Sequence, residues 1–418
     1  MPDTSPGSRS PMPPPEPRGE PIPMPRLLAM AIGVRVFNDT GIQIFAPFLS
    51  AISSGLGVSI ISLGALNSLR SLMGLMAPVS GSIADTIGYR PTMRALLLLG
   101  AAGMFLFALS PTLALAIVGM IIMGIGVFSF APVLQAYVSA QIPYERRSRG
   151  LGIVEYGWAL AGIVGLSVSG LLIDRYSWRA PFLVLGAGLV VAFFVFAALP
   201  ATPGSHSRAE ARASFLQWRQ WPTRLFALLQ LESNARSAWT AILVNGLNVF
   251  AASTISIVYG VWLAREYSLT TTRLGLVALV LGLSEFAGSI LVSLIGDRLG
   301  KYRSILASSM CAVLAYLLLP LLNFRVLAVI AGLIFARFLF EVSIVSSISL
   351  LSEQVPTQRG KVLTLASATV TSGVAAASII GPISYSTWGI SGPGLISASA
   401  ALLATVLMLR WVNEKTVT

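Results

Sequence analysis

The sequence has few of the residues with which enzymes do chemistry. Its single cysteine, Cys311, cannot form an intramolecular disulfide, and its single histidine, His206, cannot build a histidine-rich metal site. It contains no G-x-x-x-x-G-K-[S/T] loop for binding ATP. We therefore expect no metal, no cofactor and no catalytic residues, which argues against a membrane enzyme and against a self-contained ATP-driven pump.

Charge is also scarce. Only 11% of the 418 residues are charged and 55% are hydrophobic, whereas soluble domains carry about 25% charged residues. Lipid is the solvent that suits such a chain, and a bilayer-crossing helix needs roughly 20 apolar residues. The sequence predicts twelve such spans, at about residues 27–50, 60–83, 92–110, 112–137, 150–173, 179–199, 237–262, 272–295, 303–322, 325–351, 360–385 and 390–411.

The basic residues are unevenly distributed between the loops. With the N-terminus placed in the cytoplasm, 20 of the 28 Lys and Arg residues fall on the cytoplasmic side and 5 on the other side. This asymmetry follows the positive-inside rule. The pI of about 10.4 therefore predicts a topology in the cell membrane with both termini cytoplasmic, and no nucleic-acid partner.

The spans divide into two groups of six. Residues 1–25 are Pro-rich and lack the apolar core that a signal peptide needs. The predicted units are a disordered cytoplasmic tail (1–25), a first bundle (26–199), a cytoplasmic connector with an amphipathic segment (200–236), a second bundle (237–412) and a short cytoplasmic tail (413–418).

The two groups repeat one another. Asp85-x-x-Gly88 after the second span is matched by Asp297-x-x-Gly300 after the eighth. The stretch QIPYERRSRG at 141–150 is matched by QVPTQRG at 354–360. Internal symmetry of this kind is typical of transporters built from duplicated halves.

The stretch GSIADTIGYR at 81–90 resembles the loop signature of the major facilitator superfamily, G-x-x-x-D-x-x-G-x-R. The resemblance implies an all-α membrane protein with twelve helices in two pseudo-symmetric six-helix bundles. It also implies a conformational latch formed by Gly81, Asp85, Gly88, Arg90, Asp297 and Gly300. Within that latch we expect Gly81 to allow close helix packing and Gly88 to permit a tight turn.

Among the members of this superfamily, the drug:proton antiporter-like ones are the closest to this sequence in pattern, because of the glycines in span five. Gly152, Gly165 and Gly170 keep the glycine spacing of the antiporter signature, although its proline is missing. In span four, Met120 stands where those members carry an arginine.

Seven charged residues lie in the interiors of predicted spans, away from their ends, where each costs about 2.5–3.5 kcal/mol to insert and usually marks function. They are Arg35, Asp39, Arg70, Glu155, Glu285, Arg337 and Glu341. None falls in spans three, six, nine or twelve, which the resemblance places on the outside of the fold. We therefore expect the charges to line a shared, water-accessible cavity, with Glu155 reaching only the adjacent loops.

Three of the carboxylates, Asp39, Glu285 and Glu341, are the candidate proton carriers. A low-dielectric site raises the pKa of a carboxylate and a nearby arginine lowers it, so changing arginine contacts could load and unload a proton. The alternative is a set of satisfied ion pairs, since Arg35–Asp39 and Arg337–Glu341 are both spaced i, i+4.

Polar and aromatic groups on the cavity spans are candidate substrate contacts, with helix packing as the alternative use. The candidates are Arg35, Arg70, Arg337, Gln43, Asn245, Asn248, Phe37 and Phe45. The predicted function is proton-coupled export of small amphiphilic or lipophilic molecules by a monomer in the lipid bilayer. The alternatives are an uptake symporter that clamps an organic anion with Arg70 and Arg337, a lipid or glycolipid flippase, and a ligand sensor on a transporter fold.

Overall fold

The computed structural model describes residues 23–142, 147–200, 231, 234–355 and 358–413, without the side chains of 147–149, 151 and 295–297. The predicted tails (1–25 and 413–418) and the amphipathic connector (200–236) lie almost entirely outside these residues. The fold described below is therefore that of the two helical bundles.

The described residues form twelve helical rods, as predicted, and eleven of them are long and apolar enough to cross a membrane. Three rods are interrupted partway and are given in parts. The rods are α1a (Met24–Gln43) with α1b (Phe45–Leu56), α2a (Ile60–Leu72) with the 3-10 turn Met73–Met76 and α2b (Ala77–Ile87), α3 (Tyr89–Leu109), α4 (Leu113–Gln141), α5a (Arg147–Leu160) with the π-helical turn Ala161–Gly165 and α5b (Leu166–Arg175), α6 (Ala180–Val195), α7 (Ala235–Tyr267), α8 (Thr271–Leu299), α9 (Lys301–Leu318), α10 (Val326–Gln354), α11 (Arg359–Trp388) and α12 (Ser391–Trp411).

The rods assemble into two six-helix halves, α1–α6 and α7–α12, because helices within each half pack mainly on one another. We call the end of the molecule near Met24, Ala198, Ala235 and Trp411 the terminal face, since both described termini lie there. The other end, near Leu56, Arg175, Tyr267 and Trp388, is the distal face.

At the distal face the halves are packed backbone against backbone. A Cβ on Gly260 of α7 would lie 2.1 Å from the Pro47 carbonyl oxygen of α1b, and one on Gly64 of α2a would lie 2.2 Å from the Ser378 carbonyl oxygen of α11. Small residues permit such close approach of helices in membranes. Gly170 and Gly275 close the α5b–α8 crossing in the same way.

Asp174, near the end of α5b, fastens the same seam by capping a helix of the other half. Its carboxylate accepts the backbone N–H groups of Thr271 (3.2 Å) and Thr272 (2.8 Å), which begin α8. These N–H groups have no partner within the helix, and a negative charge is favourable at a helix N-terminus. The first half thus supplies the N-cap of a helix in the second.

Toward the terminal face the halves separate. Substantial packing between them involves α1b, α2a, the central turns of α2 and α5, and the α5–α8 crossing, whereas α2b and α4 pack mainly within the first half. The side chain of Glu155 on α5a remains 50% exposed. The two halves are therefore sealed at the distal face and diverge toward the terminal face.

The predicted latch residues differ in their backbone conformation and contacts. Gly88 (φ 101°) and Gly300 (φ 80°) occupy the positive-φ region, so the expected tight turns are confirmed. The role expected of Gly81 was wrong: a Cβ there would meet nothing within 4 Å, because α2b does not pack closely at that point. Asp85 accepts a hydrogen bond from the Tyr89 hydroxyl (2.6 Å), Arg90 is half-buried, and the Asp297 side chain lies outside the described residues.

Replacing Gly260 by leucine should open the distal seam, because no side chain fits between α7 and Pro47. The change is best measured by the distance between spin labels at Ser54→Cys and Trp388→Cys, both exposed at the distal face, in a Cys311→Ser background. The expected result is a longer distance in Gly260→Leu. Gly33→Leu is the matched control, since a Cβ there meets nothing within 4 Å, and an unchanged distance in the Gly260 variant would contradict the tight seam.

Candidate functional site

A hydrogen-bonded charge cluster lies at the middle of the first half. Arg35 donates from Nε to Asp39 (2.8 Å) and from Nη1 to Glu155 (2.5 Å), so one guanidinium bridges two carboxylates. Asn38 donates to the second oxygen of Asp39 at 3.0 Å, and Gln135 of α4 donates to Glu155 at 2.6 Å. The predicted Arg35–Asp39 ion pair is thereby confirmed.

The two carboxylates that share Arg35 differ in their access to water. Asp39 is fully buried, whereas half of the Glu155 side chain is exposed. A buried charge is tolerated only with a partner and hydrogen bonds, and Asp39 has both. The expectation that Glu155 reaches only the adjacent loops was wrong, because α5a turns it inward onto Arg35.

The second half carries a similar cluster with different pairing. Arg337 of α10 forms its ion pair with Glu285 of α8 (2.9 Å), not with Glu341 as the i, i+4 spacing predicted. Glu341 accepts a hydrogen bond from Ser289 of α8 instead. The tight α8–α10 crossing explains this choice, since Gly288 lets α8 lie directly against Glu341.

The two clusters meet between the halves. Helix α5a, which carries Glu155, packs against α8, and Ser289 of α8 donates to Glu341. Beside them, Tyr156 of α5a and Phe286 of α8 make an edge-to-face contact with centroids 5.9 Å apart. The structure therefore brings Arg35, Asp39, Glu155, Glu285, Arg337 and Glu341 to one central region. Among the described residues, no group of three His, Cys, Asp or Glu side chains is placed to hold a metal ion.

Arg70 lies apart from this region, at the break in the first rod. Its guanidinium is 1% exposed and donates to the carbonyl oxygens of Gly41 (2.7 Å) and Ile42 (2.9 Å) and to Asn67 (3.0 Å). Its Cζ also sits 4.3 Å from the ring centroid of Phe45. Backbone groups freed at membrane depth must find partners inside the protein, so the structure gives Arg70 a stabilising position rather than the expected place in the cavity.

Gln43 serves the second irregular segment. Its amide donates to the Trp158 carbonyl (3.1 Å), one turn before the π-helical turn Ala161–Gly165. Single π-turns inside helices often mark functional sites. Gln43 therefore links the break in rod one to the distortion of rod five, at the border of the central region.

The remaining substrate candidates point into helix packing. Phe37 lies against α6, where it fills the space above Gly188, and Phe45 is buried against Phe107 and Phe182. Asn248 donates to Ser309 and Ser343 within the second half. Asn245 is buried, and its Oδ1 accepts no hydrogen bond. For these residues the observed surroundings are those of helix packing, which was the alternative to substrate binding.

Sequence reasoning missed the groups that depend on helices far apart in the chain. Gln135, Ser289 and Asp174 belong to this set, as does the inward direction of Glu155. The available signal for Gln135 was its position as a polar residue within an otherwise apolar run. Nothing in the local sequence of α5b indicates that Asp174 caps a helix about a hundred residues away.

Arg70→Met should destabilise the fold, because it leaves the two α1 carbonyls without donors. Each unsatisfied buried group costs about 1–3 kcal/mol, so we expect a clearly lower unfolding temperature in detergent. Arg410→Met, at an exposed position near the end of α12, is the control. If Arg70→Met unfolds like the parent protein and loses only its affinity for carboxylate ligands, the anion-clamp role is correct instead.

Comparisons with known proteins agree with this fold. The family model described as Major Facilitator Superfamily matches residues 31–246 and 241–418. The chain is similar to the MFS-type transporter YceJ of Bacillus subtilis (25% identity over 74% of this chain and 76% of the relative). It is also similar to the lincomycin resistance protein LmrB of Listeria monocytogenes (24% identity over 40% of this chain and 36% of the relative).

A solved structure shows the same architecture. The crystal structure of a D-xylose–proton symporter superposes with a TM-score of 0.73 at 15% identity, covering 94% of this chain and 98% of the other. At this identity the likeness extends to the fold alone.

Proposed function

Because the chain belongs to the major facilitator superfamily, we propose that it is a secondary transporter that exports small amphiphilic or lipophilic molecules in exchange for protons. Membership makes it a multi-pass membrane protein with a small-molecule substrate, in a family of transporters rather than enzymes. The direction of transport and the coupling to protons are our proposal. One chain supplies both halves of the central region, so we take the monomer as the working unit.

We assign the terminal face to the cytoplasm and the membrane to the cell membrane. The excess of Lys and Arg near the terminal face supports this orientation through the positive-inside rule. The structure then corresponds to an inward-facing state, sealed outside by the glycine seam and Asp174. In this state the central region is accessible from the cytoplasm.

The observation that carries proton coupling is the shared guanidinium of Arg35. It holds a fully buried carboxylate, Asp39, and a half-exposed one, Glu155, at the same time. Any change at Glu155 therefore alters how strongly Arg35 stabilises the charge on Asp39. This gives a physical link between occupancy of the gap and proton affinity at the buried carboxylate.

The pairing seen in the inward-facing state fits antiport. Asp39 is held as an ion pair by Arg35 at 2.8 Å, which is the arrangement expected after its proton has been released. Proton uptake on the opposite side would weaken that pair and release Arg35 toward Glu155. The partial similarity to LmrB, whose name denotes lincomycin resistance, supports export as the direction.

The geometry gives less support to uptake of an organic anion. Arg70 already donates to two carbonyls and an amide oxygen, and Arg337 is paired with Glu285 at 2.9 Å. A carboxylate substrate would have to displace these partners before binding. No specific contact favours a flippase, and a ligand sensor would bind without producing flux.

Asp39→Asn should abolish proton coupling while leaving the fold intact, because the amide occupies the same space but binds no exchangeable proton near neutral pH. A thermal-shift screen of neutral, cationic and anionic amphiphiles first identifies a ligand. The measurement is pH-gradient-driven flux of that ligand in liposomes, with proton movement followed by entrapped pyranine. We expect gradient-driven accumulation with the parent protein and only downhill movement with Asp39→Asn.

Glu353→Gln is the matched control, since it removes a carboxylate that pairs with Lys301 near the terminal face. It should retain coupled flux. Full gradient-driven transport by Asp39→Asn would contradict the role of Asp39. Ligand binding without any flux would instead identify a sensor.

A further inference from the structure

The central region carries more negative than positive charge. Each half contributes one arginine and two carboxylates: Arg35 with Asp39 and Glu155 in the first half, and Arg337 with Glu285 and Glu341 in the second. Among the described residues of this region there are thus four carboxylates and two guanidinium groups. The difference is an excess of two negative charges when all six groups are ionised.

Arg70 does not correct this imbalance. Its donors are directed at the Gly41 and Ile42 carbonyls and at Asn67, and it is sealed from solvent. Arg35 is likewise buried between its two acidic partners. Arg337, whose side chain is 24% exposed, is paired with Glu285. Each guanidinium is therefore already engaged, and an anionic ligand would have to compete with these partners.

The excess charge is concentrated on Glu155 and Glu341. Glu155 must share Arg35 with Asp39, and half of its side chain remains exposed. Glu341 has a neutral partner, Ser289, because Arg337 pairs with Glu285. The two carboxylates come from opposite halves and lie beside the same contact between α5a and α8, since Glu155 precedes Tyr156 and Glu341 is hydrogen-bonded to Ser289, one turn after Phe286. A positive charge placed between them would be attracted by both.

Aromatic rings stand next to the two acids. Tyr156 follows Glu155 on α5a and meets Phe286, which follows Glu285 on α8, at a centroid distance of 5.9 Å. Tyr156 is exposed. Ring faces attract cations and bury apolar groups, so this pair suits the organic body of a charged ligand better than a bare metal ion.

We propose that the transported substrate is an organic cation, with its charge held between Glu155 and Glu341 and its apolar body against Tyr156 and Phe286. This inference rests on the proposed transport function and names its substrate class. The site discriminates by sign because each arginine already has a carboxylate partner, whereas Glu155 shares its arginine with Asp39 and Glu341 has only the neutral Ser289 as its hydrogen-bond partner. Contact with one acid from each half also places the ligand where it bridges the moving parts.

The test compares two probes of nearly the same size and shape and opposite charge, tetraphenylphosphonium and tetraphenylborate. Equilibrium binding to the purified full-length protein is measured at one pH without any gradient. The parent protein should bind the phosphonium and discriminate against the borate. Glu155→Gln and Glu341→Gln should each weaken phosphonium binding at least about tenfold, since each removes a close attractive charge in a low-dielectric site.

Glu353→Gln provides the control, because it removes a carboxylate from the same helix as Glu341 but close to the terminal face. It should bind the phosphonium like the parent. Unfolding temperatures of all variants show whether a loss of binding reflects loss of fold. If the Glu155 variant unfolds, Glu155→Asp, which keeps the charge, should restore both fold and binding.

Equal or tighter binding of the borate would overturn the inference, as would phosphonium binding that neither glutamine variant weakens. The outcome is separable from that for proton coupling. Loss of sign preference with intact Asp39-dependent flux removes the substrate assignment alone. Retained sign preference without any coupled flux removes the proposed antiport and leaves the cation site in place.

Discussion

The structure depends on one constraint: at membrane depth, every polar group must find its partner inside the protein. The helical rods satisfy most backbone groups, and two departures from regular helix are each matched by a side chain. Arg70 takes the carbonyls freed where rod one breaks, and Gln43 takes the Trp158 carbonyl before the π-turn of rod five. Because these partners come from neighbouring rods, the irregular segments are fixed in place and can border the central region without exposing unpaired backbone to lipid.

The same constraint explains why the charges are grouped. An isolated ion at this depth is too costly, whereas a guanidinium shared by two carboxylates satisfies most of the demand. Arg35 and Arg337 each meet this need within one half, so each half is electrostatically organised before the two come together. The negative charge that remains unbalanced lies on the surfaces that face the gap between the halves. An exchangeable ligand can neutralise it there.

The sequence was sufficient for the fold, and it was insufficient for the pairing of the charged residues and for the position of Arg70. The twelve apolar runs and the repeated Asp-x-x-Gly turns are local features that can be recognised directly in the sequence. The partner of Arg337 depends on how closely α8 approaches α10, which Gly288 determines through tertiary packing. Likewise, the spacing of Arg35 and Asp39 predicted their ion pair, but the inward turn of Glu155 follows from the path of α5a. Phe37 and Phe45 look like cavity residues in a linear sequence, and only the helix rotations show that Phe45 is buried in the first half while Phe37 packs on α6.

The two seams of the molecule are not equivalent, although the halves are related by duplication. Aligning Trp178 with Trp388 places Ser384 where the first half has Asp174, and α2a is capped by its own Ser59 rather than by the opposite half. The α2–α11 seam is joined by the neutral Asn67–Ser378 hydrogen bond, whereas the α5–α8 seam carries a carboxylate on a helix N-terminus. These same two rods hold Glu155, Tyr156, Glu285 and Phe286 about four to five turns further in. A ligand that shifts α5 against α8 at the centre therefore acts directly on the charged cap at the distal end. Because of this asymmetry, the α5–α8 pair is the shortest physical connection between the central region and the distal seal.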